Sequence, residues 1–381
     1  MKYFAIEWDD LKMQLQAALF MTKEGAGEIH ASLQITDPYL SAEVQFRHIE
    51  MAMERISGEP QFQNAHLIWK RYFVSDAANQ SDFIVDDARS LSSIVQQPPL
   101  NGVKVAVWLY YVTGDCIISR EGHHLLVQRH KGITHRYTTQ LHIPLKNEYA
   151  ETEHLFNAYI KTLQQRQSSL RENCIRTWIY VQGVDIHYEG MVKARVAAFE
   201  REGLNKETHY IASTAIEGRH TNPNALVSMD AYAIEGIKQD QVTYLHAPTH
   251  LNRTHDYGVT FERGTAVDFA DRRHVYISGT ASINNKGEIT HPGDVMKQLK
   301  RTWENIGMLL SEADCSAADL VQMIVYLRDI ADYQLVKGYF DNHQTQIPKV
   351  IVLAPVCRPG WLIEIECMAI KKMEKRGLPD F

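Results

Sequence analysis

The chain has 381 residues, 45% of them hydrophobic and 23% charged, with a formal net charge of -6. That is enough apolar material for one large core or two ordinary ones and too much for a disordered chain, and a modest negative charge with dispersed basic residues excludes a surface built to neutralise nucleic-acid phosphates. Five cysteines, Cys116, Cys174, Cys315, Cys357 and Cys367, none in a CxxC pair, supply neither a disulfide framework nor a zinc ribbon, while an acidic start and the lack of a bilayer-spanning apolar run predict a soluble, cytoplasmic protein.

In chain order, apolar residues at helical intervals predict a helix over 37–55, closed by Gly58 and Pro60, and a strand over 66–74. Residues 103–112 alternate and are rich in β-branched and aromatic types, as a half-buried strand should be, and 125–145 reads as strands broken by the polar stretch 129–135. From there the order is a helix over 151–171, a strand over 174–181, a helix over 188–202 and two strands over 209–214 and 226–234. The same order returns over 293–313, 320–327, 333–343, 349–354 and 361–370. Trp178-Ile179-Tyr180 followed by Tyr188 matches Ile324-Val325-Tyr326 followed by Tyr333, and Met229-Asp230-Ala231-Tyr232-Ala233-Ile234 matches Ile365-Glu366-Cys367-Met368-Ala369-Ile370. An internal duplication is therefore expected. The boundary is placed in 238–255, which gives an N-terminal domain over 1–237 and a C-terminal domain over 256–381. The first unit offers Ser228 and Asp230 where the second has Glu364 and Glu366, so the active cleft is expected to use the second.

The segments 274–283, Gly293-Asp294, Gln298, Asn305-Ile306 and Tyr326-Leu327-Arg328-Asp329 resemble the signature of the YjgF/RidA family. Three segments resemble a longer branch with two such units in one polypeptide, the chorismatases, which remove pyruvate from chorismate. They are Tyr257-Gly258-Val259-Thr260-Phe261-Glu262-Arg263-Gly264, the run 277–283, and Val356-Cys357-Arg358 with Glu364 following Cys357 at the family's interval. The first unit agrees through Arg176-Thr177-Trp178-Ile179-Tyr180 and Met191-Val192-Lys193-Ala194-Arg195. The resemblance implies an α/β (α+β) fold of two tandem units, each a mixed sheet on two helices, and a homotrimer with small metabolites in clefts between sheets. No metal and no organic cofactor is implied. RidA-type deaminases hold the substrate carboxylate with an arginine before the penultimate strand. Here an ungapped alignment puts Lys349, a charge without the bidentate fork.

Chorismate carries two carboxylates and an enol ether, so its cleavage needs cationic forks and an acid that can protonate the enolpyruvyl methylene. In Trp361-Leu362-Ile363-Glu364-Ile365-Glu366, strand alternation puts Glu364 and Glu366 on one face. A carboxyl in so apolar a strand is raised in pKa by desolvation, as a general acid near neutral pH requires; the alternative is a solvated edge, or pairing with Lys371 and Lys372. Arg263 and Arg358, each beside Gly or Pro in a turn, are the carboxylate-binding candidates. Cys357 is the second catalytic candidate, its thiolate favoured by Arg358, with a buried small hydrophobe as the alternative. Tyr257, Gly264 and Thr280 are candidates for substrate contact, against core packing, a turn glycine and a ladder-side hydroxyl. Gly264 together with Cys357 resembles the 3-hydroxybenzoate-forming type. His246, His250 and His255 cluster but lack the carboxylate or thiolate spacing of a zinc site. The expected function is removal of pyruvate from chorismate, with 3-hydroxybenzoate favoured as product. The partner is a small carboxylate metabolite, with no nucleic acid and no membrane. Two alternatives stay open: a RidA-type enamine or imine deaminase using Lys349 or Arg358, and a protein that binds aromatic or keto acids without turnover.

Overall fold

A computed structural model describes residues 1–381, the side chain of Tyr257 excepted. The described strands form three six-stranded sheets. The first holds β1 (Lys2–Trp8), β2 (Met13–Met21), β3 (Gly27–Ile35), β4 (Ala65–Val74), β5 (Leu91–Gln96) and β6 (Val105–Thr113). The second holds β7 (Ile117–Arg120), β8 (Leu125–His130), β9 (Ile133–His142), β10 (Cys174–Val181), β11 (Ala212–Glu217) and β12 (Val227–Glu235). The third holds β13 (Val242–Leu245), β14 (Gly264–Asp268), β15 (Arg272–Ala281), β16 (Leu320–Leu327), β17 (Lys349–Leu353) and β18 (Ile363–Lys372). Helices fill the connections: α1 (Ala42–Ile56) and the short α2 (Ala77–Gln80) in the first unit, α3 (Glu148–Gln164), the short α4 (Leu170–Asn173) and α5 (Val184–Arg201) in the second, and α6 (Val295–Glu312) and α7 (Tyr333–Asn342) in the third. Ser41, Asn147 and Asp294 cap α1, α3 and α6 by accepting the backbone N–H of Val44, Ala150 and Lys297.

All three sheets share one topology. The first three strands form an antiparallel meander, the last strand inserts between the third and the fourth, and the fourth and fifth run parallel at the far edge. A parallel neighbour needs a crossover connection, and α5 and α7 supply it in the second and third units. In the first unit that crossover shrinks to the four-residue α2, so the helix–strand–helix order is kept with its second helix reduced to a single turn. Residues 1–237, expected to form one domain, therefore carry two of the three sheets, and the two units read from 151–234 and 293–370 are the second and third of a threefold repeat of topology. The mixed sheets packed on helices match the expected fold class.

Each sheet contributes to one common core, where Trp69 and Trp108 of the first, Tyr137, Trp178 and Tyr232 of the second and Tyr276 of the third are buried together. The first two sheets pack their helices through separate cores. Register aligns the units: Arg71 lies opposite Trp108, Trp178 opposite Asp230 and Ile324 opposite Glu366, while Phe73, Tyr180 and Tyr326 face Ala106, Ser228 and Glu364. Ser228 and Asp230 thus hold the places of Glu364 and Glu366, as the sequence match predicts.

Candidate active site

The second and third units face each other across a cleft. One wall is Tyr188 and Arg195 of α5 with Ser213 and Thr214 of β11; the other is Gly279 and Ala281 of β15, Glu364 of β18, and Cys357, Arg358 and Trp361 from the loop between β17 and β18. Phe261 and Arg263 also line it. Its enclosed space is about 30 Å³, room for about one or two waters, so a ring-sized ligand must part the long side chains Tyr188, Arg195 and Arg358.

Glu364 is 5% exposed. Burial first, and the like charge of Glu366 second, raise its pKa from 4.5 to about 8, against the opposing pull of Arg176 and Arg263. The carboxyl is therefore protonated at neutral pH. Gly279 lets it lie against β15: a Cβ there would meet Glu364 Oε1 well inside van der Waals contact, with Glu364 Cδ at 2.8 Å and Thr214 Cγ2 at 3.1 Å. The Gly279 N–H donates to Thr214 Oγ1 at 2.9 Å, and Thr214 also accepts from Arg176 Nη2.

Cys357 does not have the environment of a thiolate. Burial, then the neighbouring Glu364, push its thiol up to about 12, and the opposing effects of Tyr188, Arg358 and Arg195 do not overcome them. Arg358 lies over the Trp361 ring at 5.1 Å. Arg263 is buried; its Nη2 donates to Asn252 Oδ1 at 3.0 Å and to the Asn252 carbonyl at 3.2 Å, and its guanidinium lies 5.3 Å from the Phe261 ring centre.

Glu364, Cys357, Arg263 and Arg358 are thus brought together, and other expected residues are not. Thr280 is turned away from the cleft with its hydroxyl donating to the Ser278 carbonyl at 2.9 Å, because a register shift between Ile277 and Thr280 gives the cleft face to Gly279 and Ala281. Gly264 starts β14, where a Cβ would meet the Tyr276 carbonyl at 3.1 Å and Leu245 Cδ1 at 3.2 Å, so it serves close packing of strands. Tyr257 ends a short 3₁₀ turn, and its side chain lies outside the described residues. Lys349 lines a different cleft, between the third and first units, beside Gln14, Gln16, Gln34 and Asn101. Its Nζ donates to the carbonyls of Gln344, Thr345 and Ile347. Met323 pairs with Lys349 where Thr177 pairs with Ser213, so Ser213 holds the Lys349 position in the Glu364 cleft.

Tyr188 and Arg195 stand in the sequence only as parts of the repeat and family matches, not as site candidates. Arg195 is buried within α5, and the legible signal is a polar pair at positions 188 and 195, two turns apart on the face that also buries Met191 and Val192.

Residues 265–371 match the Endoribonuclease L-PSP family. The chain is also 33% identical over 101 residues to a RutC family protein of Pyrococcus abyssi, covering 26% of this chain and 79% of that protein. The chain belongs to the endoribonuclease L-PSP family. This agrees with the YjgF/RidA signature read from the third unit. A 2-iminobutanoate/2-iminopropanoate deaminase of Capra hircus is 30% identical over 101 residues, 26% of this chain and 74% of the deaminase. The crystal structure of a chorismatase shares the fold over 82% of this chain and 96% of its own, with a TM-score of 0.63 and 17% identity. The L-PSP match holds Gly279, Cys357, Arg358 and Glu364 but stops short of Arg263 and the whole second-unit wall. Among the described residues, no group of three or more His, Cys, Asp and Glu side chains is placed to hold a metal ion, and no helix is long and apolar enough to cross a membrane.

Proposed function

We propose that this protein removes pyruvate from chorismate in the cleft between its second and third units, with residues 256–381 as the catalytic domain. The observation that carries the reading is Glu364, a buried carboxyl kept protonated at neutral pH and flanked by Arg263, Arg358 and Arg195. The arginines bind the two carboxylates of the substrate. Glu364 gives its proton to the enol methylene carbon; the ring C–O bond then breaks, and its electron pair goes to the oxygen that leaves as the keto group of pyruvate. The neighbouring ring hydroxyl closes on the carbon that the ether leaves and returns its proton to Glu364; the three-membered ring so formed opens at its other carbon, and transfer of the proton from the carbon that keeps the oxygen restores aromaticity with the hydroxyl where the ether stood, so atoms balance without water. Cys357 takes part as a neutral thiol against the ring, and 3-hydroxybenzoate is the favoured product.

Incubation with chorismate, following pyruvate by a coupled assay and the aromatic acid by chromatography, tests the reading; no pyruvate above the uncatalysed rate sinks it. The deaminase relatives support a second reading, hydrolysis of enamines or imines, which release of ammonia from generated 2-aminoacrylate would select. Its carboxylate anchor has to be Arg195, Arg263 or Arg358, because Ser213 stands in this cleft where the register puts Lys349 in the other.

Two results follow from the electrostatics. The acid must hold its proton, so turnover should be full below the raised pKa of Glu364 and fall as pH rises through about 8; a rate still climbing through that range removes Glu364 as the acid. Arg263→Lys keeps the charge and loses the fork, and should raise KM by roughly 10-fold with a smaller change in kcat. Steady-state kinetics checks it, and an unchanged KM assigns Arg263 to the fold alone.

A further inference from the structure

Two residues beyond the acid, on the same face of β18, Glu366 is 2% exposed and points toward the other two units. Its Oε2 accepts from Arg176 Nη2 at 2.8 Å, its Oε1 accepts from Trp178 Nε1 at 3.0 Å, and Arg71 Nη1 lies 3.5 Å from Oε1. Arg71 comes from the first unit, Arg176 and Trp178 from the second. Arg71 is itself boxed by Trp69 and Trp178, 4.9 and 4.7 Å from the ring centres, and lies 3.4 Å from Asp230. Lys371 and Lys372, the alternative partners read from the sequence, are not in this cluster; Lys371 pairs with Asp314.

A buried ionic cluster of this kind is poor value for stability, because desolvating its members cancels much of their attraction and apolar packing does as well. Its position suggests another use. Arg176 Nη2 is shared between Glu366 and Thr214 Oγ1, the hydroxyl that also accepts from the Gly279 N–H beside Glu364. One strut therefore joins the common core to the wall of the cleft.

We propose that Glu366, held by Arg71 of the first unit and Arg176 of the second, is a positioning residue that sets the charge environment of Glu364, so that all three units contribute to the acid. The inference rests on the reading of Glu364 as the acid. Side chains two apart on one strand face are about 7 Å apart, and in a dry interior a like charge at that distance disfavours ionisation of its neighbour. The charged and titratable groups around Glu364 are Glu366 on its own strand, Tyr326 opposite it on β16, Arg176 on β10, Tyr188 and Arg195 on α5, Arg263 before β14, and Cys357 and Arg358 after β17. Glu366 is the carboxylate in that set that is ion-paired to two arginines, Arg71 and Arg176.

The test is the titration of Glu364 itself, followed by the infrared band of its protonated carboxyl, assigned by difference against Glu364→Gln. In the wild type the midpoint should lie at about 8. Glu366→Gln should lower it by about one unit or more, and Arg176→Met, which removes a cation, should raise it by a similar amount, with Arg176→Lys within about half a unit of wild type. Opposite signs are the signature of charge, since loosened packing moves both variants the same way. If Glu366→Gln does not fold, the direction in Arg176→Met decides. A wild-type midpoint near the ordinary 4.5 sinks the acid reading; a high wild-type midpoint that stays put in Glu366→Gln, or falls in Arg176→Met, overturns the role of Glu366 alone.

Discussion

Glu364→Gln should remove pyruvate release, by roughly 10²–10⁴-fold in kcat, leave ligand binding largely intact, and at the same time make the protein more stable above neutral pH. The first part follows because an amide cannot give a proton to the enol methylene. The second follows from linkage. The folded pKa of Glu364, about 8, lies above the ordinary 4.5, so between those values the unfolded chain has released a proton that the folded chain still holds. Stability then falls as pH rises, being fully present below 4.5 and lost as pH climbs through about 8. At about 1.4 kcal/mol per unit, the penalty removed by the uncharged Gln is on the order of a few kcal/mol. Thermal melts of both proteins should coincide at acid pH and separate by on the order of a few degrees at alkaline pH, with the variant the more stable. Equal loss of binding and turnover, or a melting difference that ignores pH, counts against the assignment.

The acid was legible because β18 is a long alternating strand whose only carboxyls, Glu364 and Glu366, share a face among apolar neighbours. Their partners were not legible, because Arg71 and Arg176 come from other sheets, and no local pattern announces a pairing across units. Lys371 and Lys372, near in sequence, offered only the alternative of a surface pair, and Lys371 bonds Asp314 instead. Most helices and strands after residue 150 follow from periodicity to within a few residues, but the helix read over 151–171 ends at Gln164 and is followed by the separate α4, and the stretch 238–255 read as the boundary carries β13, the edge strand of the third sheet. One end moved for a tertiary reason: the strand expected at 209–214 is observed at Ala212–Glu217, because the Tyr210 N–H and the Ile211 carbonyl instead bond Glu262 of the third unit. Thr280 was misplaced for a related reason. Alternation from Ile277 onward assumes an unbroken register, and the irregularity between Ile277 and Thr280 exchanges the faces. The second-unit wall of the cleft lay beyond the motif, since Tyr188, Arg195 and Thr214 meet Glu364 only once two sheets are docked.

Gly279→Ala should disable the site with little effect on the fold. The glycine is not among those with positive φ, so alanine is conformationally allowed and no backbone strain is expected. The obstacle is the occupant of the space: the new methyl would lie 2.8 Å from Glu364 Cδ and 3.1 Å from Thr214 Cγ2. Thr214 is held by Arg176 and by the Gly279 N–H, so it is Glu364, the free end of a flexible side chain, that must swing away. A displacement of about 1 Å is enough to cost roughly 100-fold in rate, whereas overpacking of this size costs about 1–3 kcal/mol of stability. Gly307→Ala is the control, since a Cβ there in α6 meets nothing within 4 Å; it should leave turnover alone and add about 0.5–1 kcal/mol of stability through helix propensity. Shortening the acid should separate displacement from general damage: in Gly279→Ala with Glu364→Asp the carboxyl withdraws from the methyl, and the double variant should lose less than the product of the two single losses. Multiplicative losses, or a Gly279→Ala protein with the wild-type rate, would show that the close approach of Glu364 to β15 plays no part in the chemistry.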